Sequence, residues 1–572
     1  MSIPCEYLSI TALIHILFQL PIKGFCGANL ALTQNWKLFK KPHTTLINTK
    51  LNTYKPLAIS SLKTFANHTR ANLKDTVFLD GNSLTVQQVY KVACFGVKVV
   101  VEQNALEKVE KCHDYLLKAL KNKTIYGVNT GFGSLATTRI SDSDASQLQE
   151  NMIRSHSAAV GSPLPKEVVR AAMLLRLNTL AKGYSGVRVA TLRLLEEFLN
   201  REITPVVPET GSLGASGDLA QLAHIALAMM GEGYVYHKEE IVPSRVALER
   251  EALNAFKPAP KEGLALVNGT QMTVATACLC VIRAKALLSA LEDVACLTIE
   301  ALGASTEWLN EWIHALRPIP GQVAVAQNMR RKLQDSKAIG RNKRVQEAYS
   351  IRCIPQVHGA ALESLEFCER LLNIEINSVS DNPLIVPEEE LILSGGNFHA
   401  QPIAMLLDLL PISLTPLGAL CERRLERLLN PAFSGLPAYL TSQSGLNSGY
   451  MLAQYTAASL VSENRVLCHP ASVDTAIVSN GQEDHASMGL LAGKKALKAI
   501  ENLWRICAIE ALCASQAVDL ASIEQKLGGN SRALYERVRS VAPKLEKDQV
   551  LSEQFEALYK KLFEHYTRAQ AL

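Results

Sequence analysis

No two of the thirteen cysteines in this 572-residue chain have CxxC spacing, and none falls into a zinc-ligand pattern. The odd count and the scatter exclude a disulfide framework and a metal centre, as does the placing of Cys278 and Cys280 within apolar helical text. A reducing, cytoplasmic setting suits such thiols. No uninterrupted apolar stretch reaches the roughly 20 residues of a membrane span, and there is no low-complexity tract. Aromatics are few, at 6% of residues. The net charge of +5 leaves no nucleic-acid footprint, because residues 1–74 hold nine Lys/Arg against Glu6 alone. That segment carries +8, and the rest of the chain −3. Nucleotide motifs are missing too. GFGSLA from Gly131 has no repeated strand–helix units around it. GLLAGKKA from Gly489 is one residue short between its glycines and lacks Ser/Thr after its lysine.

What is present is long helical text. Apolar residues recur at three-and-four spacing over residues 145–159, 167–180, 187–199, 273–305, 360–377, 401–429, 449–467 and 494–520. The longest exceed ordinary globular helices and imply side-by-side packing in a bundle. VFLDGNSLTVQQVYKVA after Asp75 predicts a strand–turn–helix opening, and alternation elsewhere is confined to short pieces such as 233–236. The expected fold is mainly α: a long central bundle with a smaller N-terminal α+β part. Three regions follow: an extension over 1–75, an N-terminal part over 76–270, and the long helices with the C-terminal helices over 271–572. Residues Leu8 to Ile22 are largely apolar but contain His15, Gln19 and Pro21, with no basic segment before them. The extension reads equally as a targeting segment poor in Arg, a tail, or translation from an upstream start. It is assigned no role.

The chemistry begins at GSLGASGDLA, residues 211–220. If the Gly217 amide nitrogen attacks the Ala215 carbonyl carbon, a five-membered ring closes. Loss of water from the ring and from Ser216 then leaves an electron-poor methylidene-imidazolone. Gly217 has no Cβ to block its nitrogen and tolerates the strained backbone this requires. The bland alternative is a small-residue loop, with Asp218 capping the apolar run that follows. Other candidates also have structural readings. Tyr126 could be a strand-end aromatic packed in the core, and Asn268-Gly a turn or glycosylation sequon. Gln346, Tyr349 and Arg352 could form an exposed polar helix start, Phe398 a packing anchor, and Glu483 a solvated acid.

Six blocks occur in order: TIYGVNTGFGSLA from Thr124, GSLGASGDLA, GLALVNGTQ from Gly263, VQEAYSIRCIPQVHGA from Val345, SGGNFHAQP from Ser394 and HPASVDTAIVSNGQEDHASMG from His469. Together they resemble the aromatic amino acid ammonia-lyase and aminomutase family, and its histidine ammonia-lyase branch most closely, over about residues 76–572. The resemblance implies the ammonia-lyase/fumarase-like superfamily fold and a homotetramer with shared active sites. It also implies no external cofactor: the electrophile is made from Ala215 and Gly217, which become cross-linked, and Ser216, which becomes a didehydroalanine.

The same resemblance assigns roles. Tyr126 is the base for the β-hydrogen, its phenol pushed down to work near neutral pH. Asn268 stabilises the electrophile and the substrate amine. Arg352 clamps the carboxylate, a task suited to a bidentate guanidinium. Gln346 and Tyr349 line the site and support the electrophile, and Phe398 is an aromatic near it. His156 and Glu483 set the substrate, the acid facing an imidazole N–H that satisfies it. The implied reaction is elimination of ammonia from L-histidine to trans-urocanate. Arg154, Ser157 and residues 176–188 resemble tyrosine aminomutases and lyases, so a tyrosine-directed lyase or aminomutase is the alternative, and an uncyclised helical scaffold the third. Gln221 stands where proline is expected, and His358 where Met or Leu is commoner.

Overall fold

The structure is a computed structural model that describes residues 76–571, so the expectations placed on the extension lie outside the described residues. The expected strand–turn–helix opening is present. Asp80 accepts the N–H groups of Asn82 and Ser83 at 2.7 and 2.9 Å, turning the chain after β1 (Val77–Leu79). Thr85 and Gln88 then exchange bonds in a capping box that starts α1 (Val86–Phe95). After β2 (Val99–Val101), parallel to β1, come α2 (Gln103–Leu120), α3 (Ala145–His156), β3 (Val160–Pro163), α4 (Lys166–Ala181) and α5 (Val189–Asn200). Then follow β4 (Thr204–Pro205), β5 (Pro208–Thr210), α6 (Leu219–Met229), β6 (Tyr234–His237) and β7 (Glu240–Pro243). Strand β5 pairs with β3, and β6 lies between β4 and β7. These short sheets are the α+β part.

The remainder is the bundle: α7 (Gln271–Ala301), α8 (Pro320–Leu333), α9 (Ile354–Glu375), the hairpin β8 (Leu384–Val386) and β9 (Leu391–Leu393), and α10 (Gln401–Leu429). It closes with α11 (Met451–Leu467), α12 (Gly489–Ala521), α13 (Gly529–Arg539) and α14 (Ser552–Ala571). Helix α12 packs along both α7 and α10, and α7 also packs on α4 and α14. Close approach is by glycine: a Cβ on Gly493 would lie 2.7 Å from Thr276 Cγ2, and one on Gly418 2.6 Å from Leu503 Cδ2. Helix α9 starts six residues before the expected Ala360, because Pro355 sits in its first turn, where a missing N–H costs nothing.

One expectation is corrected. Helices α7 and α10 are long and apolar enough to cross a bilayer by length and composition. Their apolar windows, however, are 83% and 61% buried within the bundle. Arg283 and Lys285 interrupt the apolar run in α7, and Asp408 that in α10, without making either helix polar, so a search for unbroken runs passes over them.

The bundle interior holds one bidentate ion pair that matters below. Arg424 of α10 meets Glu510 of α12 at 2.6 and 2.8 Å, both side chains fully buried. Thr298 of α7 donates to the same carboxylate at 2.8 Å, and Arg424 also donates to the Ser350 carbonyl at 3.2 Å.

Candidate active site

Ala215, Ser216 and Gly217 lie between β5 and α6, with Ser216 half-buried and its neighbours buried. Gly217 has φ +76°, the region glycine alone enters without strain, and any Cβ there would collide with the Gly269 carbonyl. The Asp218 N–H donates to that carbonyl at 2.8 Å. Asn268, 2% exposed, ends the short helix Glu262–Val267 and donates its Nδ2 to both oxygens of Ser216: the carbonyl at 3.0 Å and Oγ at 2.9 Å. Its Oδ1 is buried without a partner among the described residues. A glycosylation enzyme could not reach it, which disposes of the sequon.

Asp218 does not cap its own helix with its side chain. Its carboxylate instead accepts the Thr273 N–H and hydroxyl, each at 2.8 Å, at the start of α7. Burial raises its pKa to about 6 against the pull of the Thr273 and Met272 donors. Three long helices begin here. A Cβ on Gly489, the first residue of α12, would lie 2.7 Å from Thr273 Cγ2 and 3.5 Å from Ala400 Cβ, just before α10. Their N-terminal fields favour negative charge beside the tripeptide.

Tyr126 reaches the same region through Gln149. That buried side chain donates to the Gly127 carbonyl at 3.0 Å and accepts the Leu264 N–H at 3.0 Å, in the helix that carries Asn268. The Tyr126 phenol is half-buried and accepts the Gly133 N–H at 2.9 Å. Its expected downward pKa shift is not found: burial raises it, the Gly133 bond lowers it, and the Glu483 carboxylate raises it again. A single N–H donor does not offset desolvation. Glu483 itself is half-buried rather than a solvated acid, and burial raises its pKa. A Cβ on Gly133 would come within 3.5 Å of Glu483 Oε1, which places base and acid on either side of one glycine. His156, at the end of α3, sets its ring edge-on to Phe132 at 6.4 Å, and burial lowers its pKa.

The block from Gln346 to Arg352 stands apart. Arg352 donates to Gln346 Oε1 and covers the Tyr349 ring at 4.7 Å, while Tyr349 is 69% exposed. Among the described residues, no hydrogen bond or ring contact joins these three, or the half-buried Phe398, to residues 215–217.

Sequence reasoning missed several contacts. His399 stacks on His485 at 5.5 Å with planes 7° apart, tying the Phe398 block to the Glu483 loop. Ser487 packs on Gly214, and the Met488 N–H donates to the Leu213 carbonyl at 2.9 Å. Both histidines stood in quoted blocks, so their types were visible, but not their pairing across 86 residues.

Residues 84–540 match the sequence pattern of the family described as aromatic amino acid lyase. The chain belongs to that family. It is 46% identical over 478 residues to the histidine ammonia-lyase of Caldanaerobacter subterraneus subsp. tengcongensis, covering 83% of this chain and 94% of that one. With the histidine ammonia-lyase of Gloeobacter violaceus it shares 48% over 491 residues, covering 85% and 95%. Among solved family structures, the histidine ammonia-lyase of Trypanosoma cruzi superposes with a TM-score of 0.81 at 39% identity, covering 87% of this chain and 95% of that one. The tyrosine aminomutase of Streptomyces globisporus gives 0.83 at 38%, covering 86% and 98%.

Proposed function

We propose that this chain is a carbon–nitrogen lyase that eliminates ammonia from L-histidine, giving trans-urocanate. The observation that carries the substrate is Glu483, a half-buried carboxylate beside the Tyr126 loop that meets the Ser479 hydroxyl but no basic partner among the described residues. Facing a phenyl ring it would be desolvated for nothing, whereas an imidazole N–H satisfies it. Relatives bearing the name histidine ammonia-lyase support the reading.

Ala215, Ser216 and Gly217 fit the ring that the family makes from such a tripeptide: Gly217 fills a place no Cβ could occupy, and Asn268 holds both Ser216 oxygens. Once formed, that ring supplies an electron-poor double bond that draws electrons from the substrate. The chain's own groups do the rest. Asn268 Oδ1, buried and unpaired among the described residues, is an acceptor for the substrate ammonium. Tyr126 takes the β-hydrogen through its phenolate oxygen, steadied by the Gly133 N–H. Glu483 holds the imidazole with the reacting carbon toward Tyr126, and His156 lines the same side. The fields of three helix N-termini stabilise the charge that develops.

Arg352, Gln346, Tyr349 and Phe398 complete the site from neighbouring subunits of a homotetramer, Arg352 pairing with the substrate carboxylate. The exposure of Tyr349 supports this arrangement. The described cysteines are all free thiols, in keeping with a reducing, cytoplasmic setting.

Tyrosine as substrate, or return of ammonia to the β-carbon, is the second reading, favoured by the likeness to the tyrosine aminomutase. Two of the residues that suggested it lose force. Arg154 is spent on Glu232 and Glu150, and Ser157 on the Ile153 carbonyl. Incubation with histidine, tyrosine and phenylalanine separately, followed by ultraviolet absorbance, tests the proposal. Urocanate from histidine alone is expected; coumarate or a β-amino acid as the main product overturns it. Ser216→Ala is expected to remain folded and lose activity.

A further inference from the structure

Residue 221 departs from the family pattern, with glutamine where proline is expected, and its surroundings give it a task. Gln221 is in the first turn of α6 and fully buried. A glutamine at this third helical position ordinarily reaches back to its own helix's cap residue. Here it reaches across the loop. Its Oε1 accepts the Ser212 N–H at 3.1 Å, and its Nε2 donates to the Pro208 carbonyl at 3.4 Å. Ser212 answers by accepting the Ala220 N–H on its Oγ at 2.9 Å.

The clamp grips both flanks of the tripeptide. Pro208 is anchored upstream because β5 pairs with β3, and the Leu164 N–H donates to the Val207 carbonyl at 2.8 Å. Downstream, Ala220 and Gln221 belong to a helix whose start is fixed by the Asp218 N–H on Gly269. Gly211 is squeezed between, a Cβ there meeting Ala159 Cα and Ala220 Cβ at 2.9 Å each. Residues 208–221 thus form a closed loop, with Ala215-Ser216-Gly217 at its tip and Gln221 as its buckle.

We propose that Gln221 is a positioning residue for autocatalytic ring closure, an inference that rests on the lyase reading above. The step needs no co-reactant. The Gly217 nitrogen bonds to the Ala215 carbonyl carbon, whose oxygen leaves as water with the Gly217 and Ser216 amide hydrogens. The Ser216 hydroxyl then leaves as a second water with that residue's α-hydrogen. Bringing nitrogen and carbon together restricts the backbone, and a loop already tied at its base loses less freedom in doing so. Gln221 touches no reacting atom, so its effect falls on formation of the electrophile and not on turnover.

The test follows intact mass over time after cell-free synthesis of the full chain, comparing wild type with Gln221→Met and Ser212→Ala. Methionine keeps the length of glutamine and removes both hydrogen bonds; alanine removes the answering one. Wild type is expected to lose two waters. Gln221→Met should do so at least about tenfold more slowly, equivalent to about 1.4 kcal/mol in the barrier, with Ser212→Ala between them. Turnover per converted chain should match wild type in both variants, which a merely destabilised fold would not preserve. If wild type converts and both variants keep pace, the role of Gln221 is overturned and the lyase reading stands. If wild type keeps its full mass, both fall. If Gln221→Met does not fold, Ser212→Ala decides alone, slowed conversion supporting the clamp and an unchanged rate overturning it.

Discussion

A single negative charge has two opposed duties in this pocket. In the proposed function the Glu483 carboxylate satisfies an imidazole, yet it also raises the pKa of the Tyr126 phenol to which the part of base is assigned. Glu483→Gln should therefore lower kcat/KM for histidine by about 10- to 100-fold, the value of a hydrogen bond to a charged group. It should also move to lower pH the limb on which the rate rises as Tyr126 deprotonates, because the phenol then loses its proton more readily. On the acid side, burial raises the Glu483 pKa, so the wild-type limb lies above that of an ordinary carboxylate and vanishes in the variant. Paired pH–rate profiles with histidine check both limbs; unchanged limbs would remove Glu483 from the site. Residue types were legible in the sequence at this scale, since Tyr126, Asn268 and Glu483 all stand in recognisable blocks. The direction of the Tyr126 shift was not, because it depends on how much water the folded loop excludes.

Helices here are held at their ends and middles by buried polar groups, and each kind of tie has its own signature. Asp218 binds the start of α7, and its pKa is raised from 3.8 to about 6. A raised pKa means the folded state holds the proton more tightly. The resulting stability is fully present below about pH 4 and is lost as pH rises through 6. Asp218→Asn should remove this slope, so the advantage of wild type over the variant in thermal midpoint grows as pH falls from 6 toward 4. The Arg424–Glu510 pair joins α10 to α12 and supports the Ser350 carbonyl beside Tyr349. Glu510→Ala strands a buried guanidinium and should cost about 3–5 kcal/mol in denaturant unfolding, with Arg424→Met in the same chain recovering most of it. Apolar periodicity located α10 and α12, which keep exposed residues along their length, and also α7, which is buried on nearly every side. The starts of α9 and α12 were missed, by six and five residues, where Pro355 and Gly489 break the pattern without breaking the helix.

At the scale of the molecule, Tyr126 and Glu483 flank Gly133 and Asn268 holds Ser216, while the block from Gln346 to Arg352 lies apart from them with Tyr349 exposed. Mixing two inactive variants tests whether copies complete each other. Tyr126→Phe and Arg352→Ala, co-expressed, should regain activity in roughly one site in four by random assembly. A mixture as inactive as its parents would place both groups of a site in one chain. No periodicity or spacing shows this division, because a sequence does not say which of its surfaces meet another copy. The packing of Ser487 against Gly214 has a consequence for timing. A nascent polypeptide must leave the ribosome almost to its end before the tip of the 208–221 loop is pressed into shape. In the folded chain the cysteines of α7 and α12 are sealed inside the bundle, where an electrophile at residues 215–217 would not reach them. A ring that closes only once that contact is made would thus form in a chain whose α7 and α12 thiols are already covered.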